Sequence, residues 1–576
     1  MATKKFGKLI IDPSKNPAIL DTETWDADNA SLILSSLESS YWGRLVRFVE
    51  NQDHIPVSEH IVLFPGSFCR YRGRSYLLAK FKDGQRGILE IGQRTEILGK
   101  PLWVLADTVN LAAYETDATR VDAYFRNINP EKGPRSLGAV PRLGIGTRMS
   151  RWVWPGTWEA MENCGFSANA IQNSLRELNL LDEILTGQAP KTNYLFGFGN
   201  IQEGHTGSTF EGLWLSGVLE ALSAESFPRY GADADHIQVK RGPGGIGRAK
   251  KVISASRYYS FYTLDVSDIL NYQALNVSDA TALELLTTAI TDTQIRREVL
   301  LFHRRRRRLG IFVQELGEAD IGRLVGKHWK ALDAMEELYE HLTKLKNGQP
   351  FDLELSIDEN PPEVNTFDSI TTNRELLFLI LEMERRNMQL THVAPNLGVE
   401  KGIDYRGPDG LVGLSRRLRQ LSDIASEYGL IVDCHSGDYL KEETRKVIGK
   451  ATRGRNHFKI SPALQVIFAE VLSKLQPEMF GFWWDDTFEY ARREAEGGSQ
   501  FATQCIKDYE SAGSPAPAPD HPVFEHFHFA TVGRRNDKGQ FINRERFYSL
   551  SPSFYDEYRK QVKEYLCQLA DDLFRY

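Results

Sequence analysis

The stretch "GLIVDCHSGD", residues 429–438, places polar residues at the end of an apolar strand. The run from residue 430 to residue 434 is short and largely apolar, which is typical of a strand buried on both faces. It ends on His435 and three further small or polar residues. Side chains at the carboxyl ends of the strands converge at the mouth of a parallel barrel. The stretch therefore predicts a core strand that delivers a histidine to a shared site.

Runs of the same kind recur between longer amphipathic segments, and eight of them can be counted. The third has weak strand propensity and can also be read as "HIQVK", residues 236–240. Eight strand-helix alternations predict an α/β fold, a (β/α)8 TIM-type barrel. The eight runs cover residues 140–148, 193–200, 228–236, 257–267, 351–359, 390–398, 429–438 and 457–465.

Segments outside these runs indicate how the chain is organised. Residues 1–135 predict a mixed, β-containing region, because Asp83-Gly84 separates two alternating runs in the pattern of a hairpin. Residues 136–475 hold the predicted barrel, with a helical insertion at about 270–348. Residues 476–576 predict a C-terminal extension that caps the barrel.

Composition narrows the class of protein. The hydrophobic share of 41% and the charged share of 26% are those of an ordinary globular chain. A net charge of -7 indicates neither a nucleic-acid partner nor an anionic membrane surface. Without a long apolar segment or a signal sequence, the chain is expected to be cytoplasmic. Five scattered cysteines fit a reducing compartment, so neither a disulfide framework nor a cysteine zinc site is expected.

Histidines at three strand boundaries predict a metal site. His236, His435 and His457 belong to three different runs, and imidazoles from separate strands can converge on one divalent cation. Zinc, manganese, cobalt and nickel suit such ligands. His457 opens its run instead of ending it, so His205, after the second run, is the substitute. Acidic side chains at other run ends extend the predicted site: Asp235, Asp265, Asp358 and Glu359.

Several motifs in this order resemble the tagaturonate/fructuronate epimerase family. They are "GIGTR", "AIQNSLREL", "YGADADHI", "THVAPNLGVEKGIDYRGPDGL", "VDCHSGD" and "NHFKISPAL". The resemblance spans roughly residues 140–475. It implies a barrel fold, a divalent metal, and an isomerase that interconverts D-tagaturonate and D-fructuronate in hexuronate catabolism.

The resemblance also implies roles for single residues. Asp235 looks like the proton acceptor and Glu400, in "GVEKG", like the proton donor. His236, His435 and His457 look like the three metal ligands. Contacts with the substrate are implied for four further residues: Gln172, Lys401, Ser436 and Lys459.

One segment departs from the family pattern. After "HSG" the chain reads "DYLKEETRK", which adds Asp438, Glu442 and Glu443 near the expected place of a uronate carboxylate. If these acids face the mouth, they favour a neutral ketose; if they face water, Lys441 or Lys459 is free to pair with the carboxylate. We expect the second arrangement, because acidic residues at the start of a helix favour its N-terminal dipole.

The substrate that the resemblance implies is a small keto sugar acid. Neither a nucleic-acid nor a membrane partner is expected for the protein, and the sequence allows a homo-oligomer. The inverted carbon of this substrate lies two bonds from the ketone, so its C–H is not acidified by enolisation. A bound metal would assist retro-aldol cleavage and re-addition, and proton transfer through an adjacent enediolate stays open. Two other functions stay open. One is a ketose isomerase or aldolase acting on a related sugar, and the other is a non-catalytic protein that binds a sugar acid.

Overall fold

The structure, a computed structural model, shows an α/β protein in three parts. No helix among the described residues is both long enough and apolar enough to cross a membrane. The residues described are 4–6, 9–11, 26–51, 54–92, 96–105, 110–186, 188–189, 191–195, 199–226, 228–310, 312–361, 363–536 and 541–576.

The described residues of the N-terminal part form ten elements. These are β1 (Lys4–Phe6), β2 (Leu9–Ile11), α1 (Ala27–Ser35), α2 (Ser39–Asn51), β3 (Ile61–Tyr71), β4 (Arg74–Phe81), β5 (Arg86–Ile91), β6 (Trp103–Leu105), β7 (Leu111–Glu115) and α3 (Ala118–Asn127).

A five-stranded antiparallel sheet, in the order β3-β4-β5-β7-β6, organises this part. The predicted hairpin is confirmed, since β4 and β5 pair on either side of Asp83-Gly84. Alternation along β4 sends neighbouring side chains to opposite faces. Tyr76 and Leu78 join the core that contains the barrel, whereas Leu77 and Ala79 pack against helices α1 and α2.

The middle part alternates strands and helices. In chain order its elements are β8 (Arg142–Gly146), α4 (Val153–Cys164), β9 (Ser167–Asn173), β10 (Leu178–Asn179), α5 (Leu181–Thr186), β11 (Thr192–Leu195), β12 (Gly199–Gln202), β13 (Ser208–Thr209), α6 (Phe210–Ser223), β14 (Tyr230–Gln238), α7 (Gly245–Ala255), β15 (Phe261–Asp265), α8 (Asp279–Ala289), α9 (Thr293–His303), β16 (Arg307–Leu309), β17 (Phe312–Gln314), α10 (Glu318–Lys346), β18 (Asp352–Ser356), α11 (Asn373–Arg385), β19 (His392–Ala394), α12 (Gly410–Glu427), β20 (Ile431–Cys434), α13 (Glu442–Thr452), β21 (Asn456–Ile460) and α14 (Ala463–Leu475).

Eight of these strands close into the predicted barrel. Their order around it is β8, β9, β14, β15, β18, β19, β20 and β21, and β21 pairs with β8 to complete the ring. Every neighbouring pair is parallel. All eight carboxyl ends therefore open at the same end of the barrel, where a TIM-type barrel carries its site.

The second strand is the one that the sequence prediction missed. The run at 193–200 was expected there, but its described residues belong to the β11–β12 hairpin, and residues 196–198 lie outside the described residues. Strand β9 takes the place instead, with the sequence "SANAIQN". Its polar side chains hide the apolar pattern of a core strand, although six of its seven residues are buried.

Local sequence explains several of the outer helices. Helix α11 begins with a capping box, in which Thr372 and Glu375 each accept a hydrogen bond from the other's backbone N–H. Helix α12 buries the apolar stripe expected from its spacing, including Leu414, Leu418 and Leu421. The segment predicted as a helical insertion contains helices α8, α9 and α10, together with the short β16–β17 hairpin.

The C-terminal part is helical. Its elements are α15 (Pro477–Glu496), α16 (Gln500–Ser511), α17 (Pro522–Phe527), α18 (Arg544–Phe547) and α19 (Pro552–Phe574). Helix α19 packs against α4, α13 and α14 of the barrel.

A disulfide joins this last helix to the barrel. Cys164, at the end of α4, pairs with Cys567 of α19, while Cys69, Cys434 and Cys505 are free thiols. The expectation that the cysteines are unpaired is therefore wrong for two of them. A separation of 403 residues leaves no local spacing that could have indicated the pair.

Candidate active site at the barrel mouth

Asp235, His236 and His435 form a cluster at the carboxyl ends of the barrel strands. One ligand atom from each lies within 4.8 Å of the others, and the two imidazole centroids are 4.7 Å apart. Asp235 and His236 are consecutive and would point to opposite faces of a regular strand. The pairing of β14 shifts register between Ala234 and Ile237, and His236 has a φ of 44°. This bulge turns both side chains toward the site.

Carboxylates surround the imidazole of His435. Nε2 lies 2.8 Å from Oε1 of Glu354, and Nδ1 lies 3.0 Å from Oδ2 of Asp358. Burial alone would lower the pKa of His435, but these two carboxylates raise it to about 10. Both ring nitrogens and both oxygens of Glu354 are buried without a hydrogen bond of good geometry in the described structure. These nitrogen and oxygen atoms lie close together but are poorly aligned for hydrogen bonds, and a bound cation would satisfy them as ligands.

His236 has its own acidic neighbours. Nδ1 lies 3.3 Å from Oδ2 of Asp265, and Nε2 lies 3.3 Å from Oε1 of Glu359. His236, Asp265 and Glu359 thus form a second set of residues whose ligand atoms lie close together. Asp265, Asp358 and Glu359, which were predicted at strand ends, are thus all brought to the two histidines. The set of imidazole nitrogens and carboxylate oxygens fits a divalent transition metal such as zinc or manganese.

His457 lies with a different group, although it was predicted beside His236 and His435. Its Nδ1 is 2.8 Å from Oδ2 of Asp433, and His392 completes this set. The strand register explains the difference. His457 lies near the beginning of β21 and pairs with Asp433 of β20. His435 lies two residues beyond Asp433, just after the end of β20. Two residues correspond to roughly 6.6 Å along a strand, so His457 sits deeper in the barrel.

Gly144 makes room for the side chains packed inside the barrel around His457. A Cβ added to Gly144 of β8 would lie 2.6 Å from Cγ of Lys459 and 2.8 Å from Nε2 of His457, and would also collide with Gln172. Such distances are shorter than van der Waals contact allows. The first glycine in "GIGTR" is therefore required by side chains of the two neighbouring strands, β9 and β21.

Lys459 connects the deep group with the mouth. Its ammonium is 2.8 Å from Asp235, 2.8 Å from Glu354 and 3.3 Å from Asp233. Burial lowers the pKa of Lys459, but the surrounding carboxylates raise it well above its ordinary value. Burial likewise raises the pKa of Asp235, yet Lys459 and the two histidines bring it below the usual range. Asp235 is thus ionised and Lys459 is fully paired within the protein.

A cavity opens above the Asp235 cluster. Four residues predicted to contact substrate, Gln172, Lys401, Ser436 and Lys459, all line it. Its other lining residues include Asp235, His236 and His435, together with Arg148, Arg176, Glu177, His205, Gly402, Asp438, Tyr439, Ile460, Ser461, Pro462, Glu525, His528 and Phe529.

Glu400 does not belong to this lining in the described part of the chain. Its carboxylate binds Arg406, with Nε 2.6 Å from Oε2 and Nη2 3.1 Å from Oε1. The next residue, Lys401, does line the cavity and binds Glu359. Glu400 therefore lies beside the site with its carboxylate turned away.

The acidic segment after His435 divides into two parts. Glu442 and Glu443 are exposed in the first turn of α13, and Glu442 pairs with Lys446. Asp438 instead lines the cavity, where its Oδ1 accepts hydrogen bonds from the backbone N–H groups of Ser461 and Ala463, at 2.7 and 3.0 Å. The expected water-facing arrangement holds for the two glutamates and does not hold for Asp438.

Other lining residues were not predicted. Arg148 follows β8, and Arg176 and Glu177 follow β9, the strand that was assigned elsewhere. Glu525, His528 and Phe529 come from the C-terminal part. A strand-end rule applied to β9 would have indicated Arg176, but no local pattern ties residue 528 to a barrel that ends near residue 475.

Comparison with known proteins gives one family and one fold. A family model described as tagaturonate epimerase matches residues 204–507. The structure is similar to the native crystal structure of a fructuronate-tagaturonate epimerase from Cohnella laeviribosi, with a TM-score of 0.64 and 18% identity over 93% of this chain and 99% of that one. A glycerol complex of that enzyme gives the same TM-score at 17% identity, with the same coverage. At identities this low, the similarity of the structures shows a shared fold and nothing further. No protein of curated function matches the chain.

Proposed function

The chain belongs to the tagaturonate epimerase family, and on that premise we propose that it interconverts D-tagaturonate and D-fructuronate with the help of one divalent cation. The observation that carries the proposal is the cluster of Asp235, His236 and His435 in the wall of the cavity at the barrel mouth. A ligand cluster that opens onto a cavity can bind a metal and a substrate side by side.

His236 and His435 would hold the cation beside the carboxylate of Asp235, and Glu354, Asp358, Asp265 and Glu359 would orient the two imidazoles. Zinc, manganese, cobalt or nickel suits this donor set. When bound, such an ion supplies Lewis acidity to the ketone and hydroxyl oxygens of the substrate.

The chemistry at the inverted carbon assigns Asp235 a proton-transfer role. That carbon carries a hydroxyl and lies two bonds from the ketone, so its C–H is not acidified by enolisation. A base that removes the hydroxyl proton allows the carbon–carbon bond on the ketone side to break, leaving an aldehyde and an enolate. Rotation of the aldehyde and re-formation of the bond return the proton and invert the centre. Asp235, ionised and in the cavity wall, is the proposed base on one face.

Glu400 is proposed as the proton-transfer group on the other face. The side chain of its partner Arg406 is 64% exposed, whereas that of Glu400 is 12% exposed. The guanidinium of Arg406 can therefore stay solvated when the carboxylate of Glu400 exchanges it for a substrate hydroxyl. Apo structures often show catalytic contacts that tighten only when substrate binds.

The test is epimerisation followed by NMR in D2O. Protein loaded with each candidate metal is incubated with D-tagaturonate, D-fructuronate and the neutral ketohexoses, with chelator-treated protein as the control. We expect epimer formation from the two uronates in the metal-loaded protein alone. Retention of hydrogen at the inverted carbon is expected for bond cleavage, and deuterium there would indicate the deprotonation route. Turnover of neutral ketoses without turnover of uronates would contradict the proposal.

A further inference from the structure

A uronate brings a carboxylate into the cavity, and the cavity must offer it a cation. Four cationic side chains line the cavity: Arg148, Arg176, Lys401 and Lys459. From the amino-acid sequence, Lys441 or Lys459 was expected to hold the acid group. Lys441 is exposed and is absent from the lining found in the described residues. The choice therefore falls among the four cations in the wall.

Three of these four already direct their donor groups at carboxylates of the protein. Lys459 contacts Asp233, Asp235 and Glu354. Arg176 and Lys401 both bind Glu359, and Arg176 uses both terminal nitrogens for it, at 3.4 and 2.9 Å. Donor groups that already contact a carboxylate of the protein are not available to the carboxylate of a substrate.

Arg148 differs from the other three. Its side chain is only 5% exposed, and among the described residues it forms an ion pair with Glu177, at 3.3 Å. Nε and Nη1 are buried and have no hydrogen-bond partner among the described residues. Buried guanidinium N–H groups are rarely left without an acceptor. Two such groups on one side chain in a cavity wall indicate a site that an anion completes.

The neighbours of Arg148 suit the rest of a sugar acid. His205 and His528 line the same cavity, and burial lowers the pKa of His205 to about 3 and of His528 to about 4, so both imidazoles are neutral at pH 7. Nδ1 of His528 lies 2.8 Å from the backbone oxygen of Phe524, which fixes the proton on that nitrogen. Nε2 of His528 is then an acceptor, and it has no partner in the described structure.

We propose that Arg148 binds the carboxylate of the substrate and that Nε2 of His528 accepts a hydrogen bond from one of its hydroxyls. This assignment rests on the proposed function, because it takes the substrate to be a keto sugar acid. It makes Arg148 the residue that selects an acid over the neutral ketose. It also gives the C-terminal part, through His528, a share of the substrate site.

Binding of non-reacting ligands tests the assignment separately from turnover. Calorimetry compares a hexonate with its neutral hexitol in the wild-type protein and in Arg148→Gln. The single variant strands Glu177, so the double variant Arg148→Gln/Glu177→Gln removes that charge as well. Arg386→Gln is the matched control, because the side chain of Arg386 is likewise only 5% exposed but pairs with Asp333 and Glu336 outside the cavity lining.

We expect wild type and the Arg386 variant to bind the hexonate more tightly than the hexitol. Both Arg148 variants should lose on the order of 10- to 100-fold in hexonate affinity, as expected for a hydrogen bond to a charged group, with hexitol affinity unchanged. Equal losses for acid and polyol, recovery in the double variant, or no preference for the acid in wild type would overturn the assignment. Acid-selective binding that depends on Arg148 in a protein that does not epimerise uronates would sustain it and overturn the proposed function alone.

Discussion

The barrel holds two histidine groups built from the same kinds of side chain. The mouth group contains Asp235, His236 and His435, and the deep group contains His392, Asp433 and His457. Each combines two imidazoles with one carboxylate, and the two share strand β20 and its loop. They differ in access, because the members of the mouth group line the cavity, whereas His392 and His457 are fully buried.

This difference shows that depth along a strand decides what a histidine can do. Asp433 and His435 face the same side of β20 but are two residues apart. At the lower level the imidazole of His457 meets Asp433 inside a closed core, and at the upper level the imidazole of His435 meets carboxylates beside a cavity. This difference in access supports the proposal that the mouth group binds the metal and that the deep group has a structural role.

The largest effect is expected from His435→Ala. This change removes one imidazole from the mouth group, and we expect loss of bound metal with a fall in kcat/KM of about 10³-fold or more. Lewis-acid stabilisation supplies several kcal/mol, and about 1.36 kcal/mol corresponds to a tenfold change in rate. Metal content by mass spectrometry and epimerisation by NMR are measured on the same sample. A variant that keeps its metal and its rate would remove His435 from the site.

A smaller effect is expected from Glu400→Gln, which tests the group that lies beside the mouth. If its carboxylate leaves Arg406 to move a proton, the glutamine variant should retain metal and lose about 10²-fold in kcat, the typical contribution of positioned proton transfer. Arg406→Gln is the control, since it breaks the same ion pair but keeps the carboxylate, and it should retain near-wild-type kcat. Equal losses in the two variants would indicate that the ion pair itself matters.

The smallest effect on activity is expected from His457→Ala, in the deep group. Loss of the hydrogen bond to Asp433 should lower the free energy of unfolding by about 1–3 kcal/mol, because a buried partner is left unsatisfied. Metal content should stay at the wild-type level. Denaturant unfolding and metal analysis are compared with those of His435→Ala, and a loss of metal without a loss of stability would reverse the roles of the two groups.

Most of the fold could be predicted because strand ends and helix spacing are local signals. Seven of the eight predicted runs overlap barrel strands, and the exception is the run at 193–200. The barrel strand that was missed, β9, is polar in sequence although it is buried. The strand-end rule also located Asp235, His236 and His435 at one site. It could not place His457, because the level at which a residue meets its neighbours depends on the register between strands.

Contacts made over long separations could not be predicted from one sequence. His528 reaches the cavity from the C-terminal part, and Cys567 pairs with Cys164 across 403 residues. The role of Arg148 depends on which of its nitrogens lack partners, and that is a property of the packed site. Lys459 was expected to pair with the substrate carboxylate, and the three carboxylates that surround it in the packed site could not be predicted from the sequence.

Anomalous diffraction from crystals soaked with zinc or manganese tests the distinction between the two groups most directly. If the mouth group is the metal centre, one strong peak should appear about 2.0–2.3 Å from a nitrogen of His236 and a nitrogen of His435. No peak should then appear beside His457. A peak bounded by His392, Asp433 and His457, with none at the mouth, would contradict the assignment.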